Sequence, residues 1–154
     1  MQIQIDVAVH ADIAPWMMLS EEVVGLFGPM PGFSTILARK IDRKQALCAR
    51  TMKGHSFAGG ILLGGSGDVF WIRWLAVSRE YRRCGIGRRL IETAITHVPA
   101  YCSICVDTFT KETTGGLAAR RIYESCGFIP GEIWANEDMV RQRFIRAPPK
   151  GSLP

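Results

Sequence analysis

The sequence contains no apolar run that approaches the roughly 20 residues needed to span a bilayer. Its first residues, Met1 to Asp6, lack the basic start and the apolar block of a secretion signal. A disulfide framework is also missing: the five cysteines are an odd number with no regular spacing, so reduced thiols are expected. These absences together predict a cytoplasmic protein that does not bind a membrane.

Signals for metal and nucleic-acid sites are also missing. The three histidines are scattered, and the single C-x-x-C, Cys102 to Cys105, has no second pair, so we expect no metal. The formal net charge is +5, but the densest arginines surround one glycine loop instead of forming a long stripe. No stacking aromatics alternate with these arginines, so the cluster favours a local phosphate site and no nucleic acid is expected as a partner.

The composition is that of a folded domain. Apolar residues make up 47% of the 154 residues and charged residues 21%, which is enough apolar side chain for a core. The length suits one domain, and no linker or internal repeat divides the chain. We therefore predict a single domain over residues 1–147 and a loose tail over residues 148–154.

The order of the predicted elements indicates an α/β (α+β) fold. Periods of two and of 3.6 residues in the apolar pattern mark strands and helices. In chain order they are a strand at 3–9, helices at 12–27 and 33–44, strands at 46–52, 57–63 and 69–77, a helix at 86–98, a strand at 103–109, a helix at 115–126, and strands at 128–134 and 141–145. Hairpins in the middle and crossover helices later predict a mixed sheet with helices on both faces.

A glycine loop between the strand at 69–77 and the next helix carries the clearest chemistry. It runs from Arg82 to Gly87, reads Arg-Arg-Cys-Gly-Ile-Gly, and is followed by Arg88 and Arg89. Backbone N–H groups at a helix start have no partner within the helix and carry the positive end of its dipole. Glycine lets a pyrophosphate approach them without a Cβ in the way. The loop is therefore predicted to hold a diphosphate.

Two other glycine-loop motifs do not fit. A dinucleotide fold needs a third glycine where this chain has Leu90, and a Walker A loop needs Lys-Ser/Thr after Gly87, where this chain has Arg88 and Arg89. For the loop taken alone, a basic helix entry that binds nothing is the remaining alternative.

The wider context resembles the GNAT N-acetyltransferase superfamily. Residues 74–91 are similar to its coenzyme A motif, in which a Leu-x-Val strand is followed by Arg/Gln-x-x-Gly-x-Gly/Ala. Residues 118–128 resemble a later helix of the family, which ends Leu/Ile-Tyr-x-x-x-Gly-Phe. A predicted strand lies between the two motifs, as in the family. The resemblance implies a mixed, mostly antiparallel central sheet of about seven strands, flanked by helices on both faces.

The same resemblance implies acetyl-CoA as cosubstrate. In the family, the strand before the loop splays from the next strand and the pantetheine arm lies in that wedge. Leu75, Ala76 and Val77 are therefore expected to contact the arm. The pyrophosphate is expected to bind, mostly through backbone N–H groups, at Arg82, Arg83, Cys84, Gly85, Ile86, Gly87 and Arg88. Ala119 and Tyr123 of the later helix complete the implied cofactor contacts.

The implied reaction is direct attack of an amine on the acetyl thioester in a ternary complex. Tyr123 stands where the family places its general acid, and packing of its ring is the alternative role. Many members carry a glutamate on the strand before the loop, but residues 69–75 contain no carboxylate. Asp107 is the predicted base, with a turn role left open. A water relay, or an acceptor-side role for Glu21 and Glu22, are further alternatives.

The expected acceptor is the primary amine of a small molecule. A protein or peptide amine is one alternative, and a non-catalytic acyl-CoA sensor is another. The threonine-rich stretch from Thr108 to Gly115 is a candidate lid for the acceptor. Because the family often pairs subunits through its late strands, a homodimer is a further expectation.

Overall fold

The computed structural model describes residues 2–113 and 116–153. In these residues the strands are β1 (Ile3–Val7), β2 (Ala46–Thr51), β3 (Phe57–Ser66), β4 (Val69–Val77), β5 (Ser103–Thr108), β6 (Ile129–Asn136) and β7 (Met139–Arg146). The helices are α1 (Ile13–Glu22), α2 (Val24–Phe27), α3 (Phe33–Asp42), α4 (Ile86–Thr96) and α5 (Gly116–Ser125). Thr114 and Gly115, which belong to the predicted lid, lie outside the described residues.

The strands form one sheet in the order β1-β2-β3-β4-β5-β7-β6. The pairs β1–β2, β2–β3, β5–β7 and β6–β7 are antiparallel, whereas β4 and β5 are parallel. A parallel pair needs a crossover, and α4 lies between β4 and β5 in the chain. The predicted mixed, mostly antiparallel seven-stranded sheet is therefore confirmed.

The first predicted helix, at 12–27, is wrong as a single element. It is interrupted at Val23, whose φ of −99° and ψ of 8° are not helical, so α1 ends at Glu22 and α2 is a separate turn. Val23 and Val24 are β-branched and Gly25 follows, a run of weak helix formers. Asp12 does not cap α1 through its side chain, because its carboxylate accepts the N–H of Val9 at 2.8 Å and a hydrogen bond from Arg50.

The chain contacts group into two compact units. One comprises the described residues up to Leu63 together with Trp74–Ala94, and the other comprises Gly64–Arg73 and the described residues from Ile95 onward. The prediction of a single domain over residues 1–147 stays a prediction. Residues 147–153, which include most of the predicted loose tail, form neither helix nor strand.

The core of the first unit is aromatic. Trp74 of β4 lies 5.9 Å from Trp16, 5.6 Å from Phe27 and 5.5 Å from Phe33, measured between ring centroids. Trp16 is completely buried and lies directly over Gly60 of β3. A Cβ built at Gly60 would come within 2.4 Å of Cζ2 of Trp16, so only glycine allows α1 to pack this closely.

The core of the second unit joins α5 to β5 and β7. Tyr123 packs its ring against Phe128 at 5.5 Å and against Phe144 at 6.1 Å. Phe144 is completely buried, and in the β5–β7 register it lies opposite Val106. This packing fixes the face of α5 that carries Tyr123. Among residues 2–113 and 116–153, no helix is both long and apolar enough to cross a bilayer.

Candidate active site

The end of β4 leads directly into the glycine loop. The parallel register of β4 with β5 runs from Val69–Ser103 to Ile72–Val106, and β4 continues for five further residues, 73 to 77, to Val77. Of the three predicted contacts to the pantetheine arm, Leu75 and Val77 are half-buried and Ala76 is buried. The two half-buried side chains share one face of β4, because alternate residues of a strand point the same way.

The glycine loop has an unusual backbone. After a 3₁₀ turn at Arg79–Tyr81, Arg83 adopts a φ of +64° and Gly85 a φ of +75°. For a non-glycine residue the left-handed conformation costs about 1–2 kcal/mol, so the loop holds Arg83 under strain. A Cβ built at Gly85 would find no atom within 4 Å, so its surroundings are open. Glycine is needed there for its backbone angle, not for lack of space.

The backbone amides of the loop are available to a ligand. The amides of Arg83, Cys84, Gly85, Ile86 and Gly87 donate to no acceptor in the described part of the chain. Further into α4, the amide of Arg89 donates to the carbonyl of Gly85 at 3.1 Å. Unpaired donors at the start of an α-helix, with the positive end of its dipole, form a site for an anion.

The arginine side chains of the loop have different surroundings. Arg82 turns back toward the strand, where its Nε donates to the carbonyl of Val77 at 3.2 Å. Arg88 pairs with Glu92 one turn along α4, with 2.7 Å between Nε and Oε1. The Arg83 side chain is exposed, and no acceptor contacts it in residues 2–113 and 116–153. Two of the three predicted pyrophosphate arginines thus have their side chains engaged within the protein, while their backbones remain part of the loop.

Glu22 anchors the entry to the loop, a role that the sequence did not suggest. Its Oε2 accepts the backbone N–H of Arg79 at 2.7 Å, and its Oε1 accepts the hydroxyl of Ser78 at 3.3 Å. The guanidinium of Arg82 lies 4.0 Å from the same carboxylate. From the sequence, Glu22 was only a candidate acceptor-side residue, because its partners lie 56 and 57 positions away and no local pattern links them.

Tyr123 is buried in the second unit, with 4% of its surface exposed. Burial raises the pKa of its phenol above the ordinary value, and a nearby Cys126 adds to the shift. The phenol therefore keeps its proton at neutral pH and cannot serve there as a base for the amine. Ala119 lies four residues earlier on α5, half-buried, on the same side of the helix as Tyr123.

Asp107, the predicted base, is held by an arginine. Both of its carboxylate oxygens accept from Arg143, at 2.8 and 3.0 Å. Asp107 and Arg143 lie opposite each other in the β5–β7 register, so the pair bridges two neighbouring strands. A bidentate pair of this kind must open before the carboxylate can take a proton from an amine.

The thiol of Cys84 and the possible metal ligands are the remaining reactive groups. Cys84 is exposed in the loop, and its thiol donates to the carbonyl of Arg82 at a sulfur–oxygen distance of 3.6 Å. Within residues 2–113 and 116–153, histidine, cysteine, aspartate and glutamate side chains form no group of three that could hold a metal ion.

Comparison with known proteins gives the family. The model of the acetyltransferase (GNAT) domain matches residues 43–130, which is more than half of the chain and includes β2 to α5. No curated protein matches the chain significantly in sequence. The chain belongs to the GNAT acetyltransferases, so the resemblance seen in the two motifs is confirmed and its class of activity is acetyl transfer.

Solved structures of other acetyltransferases show the same fold. A GNAT acetyltransferase from Bacillus cereus ATCC 10987 has a TM-score of 0.79 at 17% identity, covering 96% of this chain and 98% of that one. The NatC complex bound to Gag peptide and CoA contains a chain with a TM-score of 0.79 at 20% identity, with coverages of 96% and 99%. An agmatine N-acetyltransferase mutant has a TM-score of 0.74 at 11% identity, with coverages of 94% and 99%. At such identities the likeness defines the fold alone.

Proposed function

We propose that this protein transfers the acetyl group of acetyl-CoA to the primary amine of a small molecule, by direct attack within a ternary complex. The observation that carries the proposal is the set of unpaired amides from Arg83 to Gly87 at the start of α4. Two left-handed residues, Arg83 and Gly85, give this stretch its shape. The residues present therefore fit a diphosphate.

Two segments of the chain would bind acetyl-CoA: the glycine loop and the end of β4. The loop amides and the exposed guanidinium of Arg83 would hold the pyrophosphate, with Cys84 and Arg88 contributing main-chain atoms. The main chain of Leu75, Ala76 and Val77 would hold the pantetheine arm in the manner of an added strand. Bound acetyl-CoA supplies the activated thioester, and Ala119 would border it from α5.

Tyr123 is the proposed general acid. The thiol formed when the thioester breaks has a reference pKa of about 8.5, lower than that of a phenol, so full proton transfer from the phenol to the thiolate is unfavourable. The phenol therefore acts chiefly through a hydrogen bond to the leaving sulfur, which strengthens as charge develops. Burial raises the pKa of this phenol further, which disfavours full proton transfer and leaves the hydrogen bond as its proposed contribution. Packing of the ring against Phe128 and Phe144 holds the hydroxyl in one position.

Asp107 is the proposed base, through opening of its pair with Arg143. The matched test is Asp107→Asn, which keeps the shape of the side chain and removes its charge. A large loss of kcat with an unchanged KM for acetyl-CoA supports the assignment. An unchanged kcat leaves a water relay as the route for the amine proton.

The function is tested in two measurements on the purified protein. Calorimetry with acetyl-CoA tests the loop, and absence of binding refutes the proposal. Thiol release from acetyl-CoA is then followed against a panel of small amines and of peptides with free N-termini. Turnover with peptides alone identifies a peptide acetyltransferase, which the likeness to the NatC chain would favour. Tight binding without turnover on any amine identifies a sensor.

A further inference from the structure

Trp71 of β4 supports two arginines in the second unit. Trp71 and Arg73 are two residues apart in the strand, so their side chains share one face of the sheet. The guanidinium carbon of Arg73 lies 4.9 Å from the centroid of the Trp71 ring, and that of Arg143 lies 4.8 Å from it. Both contacts are cation–π interactions, which hold a guanidinium in place without using its N–H groups.

The two arginines differ in what their N–H groups do. Those of Arg143 donate to both oxygens of Asp107 and, at 3.4 Å, to Glu132. Those of Arg73 have no acceptor in the part of the chain that the structure describes, and the side chain is exposed. Arg73 thus presents a positioned fork of donors to solvent. Such a fork matches the two oxygens of a carboxylate or a phosphate.

The charges around Trp71 are balanced. Arg73 and Arg143 contribute two positive charges, and Asp107 and Glu132 contribute two negative ones. Arg143 pairs with both carboxylates but compensates only one of their two charges, so one negative charge remains in excess beside the unpaired Arg73. A ligand with an anionic group and an ammonium matches both signs. The patch is therefore suited to a compound that is itself an amine with an acidic group.

We infer that Arg73, stacked on Trp71, binds the carboxylate or phosphate of the acceptor, so that the acceptor is a small amino acid or amino phosphate. The inference rests on the proposed function, because it gives that reaction its substrate class. In β4, Arg73 lies two residues before Leu75, whose main chain we assign to binding of the pantetheine arm.

The experiment compares matched pairs of amines that differ in the acidic group. β-Alanine is paired with propylamine, and phosphoethanolamine with ethanolamine, so that the two pairs separate a carboxylate from a phosphate. The value of kcat/KM is measured with wild type, Arg73→Gln, Arg73→Lys and the control Arg43→Gln, which changes an exposed arginine at the end of α3.

We expect wild type to favour the acidic member of at least one pair by about 10- to 100-fold, the size of one or two charge-assisted hydrogen bonds. Arg73→Gln should remove this preference through KM of the amine, with the KM of acetyl-CoA unchanged. Arg73→Lys should retain part of it, because the charge stays and the fork is lost. Arg43→Gln should behave as wild type.

Equal use of both members by wild type, or an equal effect of Arg73→Gln on both, overturns the inference. If no amine is acetylated although acetyl-CoA binds, β-alanine and phosphoethanolamine are titrated into the CoA-bound protein by calorimetry. Binding that Arg73→Gln abolishes supports the site, and absence of binding overturns it. If acetyl-CoA itself fails to bind, the proposed function fails, and the same titration on the free protein still decides the anion site.

Discussion

The carboxylate of Glu22, at the last residue of α1, accepts the backbone N–H of Arg79 at 2.7 Å. This bond ties the helix to the chain that leads into the glycine loop, three residues before Arg82. The second carboxylate oxygen of Glu22 accepts a hydrogen bond from the Ser78 hydroxyl, so one side chain holds two successive residues after the end of β4. The loop that we assign to the pyrophosphate is therefore positioned in part by a residue outside both family motifs.

Glu22→Gln should weaken acetyl-CoA binding. The amide keeps the size of the side chain but loses the charge that strengthens the bond to Arg79, and the loop entry becomes less well held. We expect a dissociation constant about 10-fold higher by calorimetry, a loss near 1.4 kcal/mol.

The matched control for Glu22 is its neighbour. The Glu21 side chain is exposed and contacts no partner in residues 2–113 and 116–153, so Glu21→Gln should bind as wild type. Equal affinities for Glu22→Gln and Glu21→Gln would show that the anchor does not influence the loop.

Gly85→Ala should lower both stability and cofactor affinity. At a φ of +75° the added Cβ is strained by about 1–2 kcal/mol, although no atom obstructs it. Denaturant unfolding measures the stability, and calorimetry measures the affinity for acetyl-CoA.

Gly67→Ala separates these two effects. Gly67 lies in the β3–β4 turn with a φ of +68° and equally open surroundings. It should lose similar stability but leave the affinity for acetyl-CoA unchanged. A similar loss of affinity in both variants would mean that general destabilisation, not the loop backbone, controls binding.

Tyr123→Phe should reduce kcat by about 100-fold, the usual contribution of a general acid. The ring contacts with Phe128 and Phe144 remain, so the melting temperature and the KM for acetyl-CoA should change little. Steady-state kinetics and thermal unfolding give the comparison. Full activity of the folded variant would leave the ring with a packing role only.

Cys48 should make the protein less stable in alkali. Burial raises the pKa of its thiol from 9.0 to about 12, and the nearby Asp12 carboxylate adds to the shift. The folded state therefore retains a proton that the unfolded chain releases above pH 9.0, and stability is lost as the pH rises from there toward about 12.

The test is the slope of the unfolding free energy against pH. A single thiol of this kind contributes up to about 1.4 kcal/mol per pH unit above its unfolded pKa. Cys48→Ala should flatten the alkaline slope, whereas Cys84→Ala, at an exposed position, should not. Parallel slopes for wild type and Cys48→Ala would contradict the assignment.

The sequence was most informative where local patterns decide structure. The strands β2, β3 and β4 begin at the predicted residues, because apolar runs separated by glycine turns leave few alternatives. The break in the first helix at Val23 was missed, because Val23, Val24 and Gly25 are only weak helix breakers and apolar residues continue on the same helical face to Phe27. Local propensity alone was too weak a signal there.

In the candidate site too, features set by local sequence could be predicted and features set by distant contacts could not. The glycine loop could be predicted, because helix start, glycines and arginines are contiguous in the chain. Glu22 and the pair of Asp107 with Arg143 could not, because their partners are brought together only by sheet register and helix packing. Contacts between residues 36 and 57 positions apart leave no pattern in a single sequence.

The close packing of Trp16 against Gly60 has a consequence for engineering this protein. Trp16 and Glu22 belong to the same helix, and six residues of helix correspond to about 9 Å of rigid rod. Any side chain placed at position 60 would push the part of α1 around Trp16 away from β3. Mutations chosen to fill or thermostabilise the interior around β3 should therefore also change the proposed binding of the acyl donor.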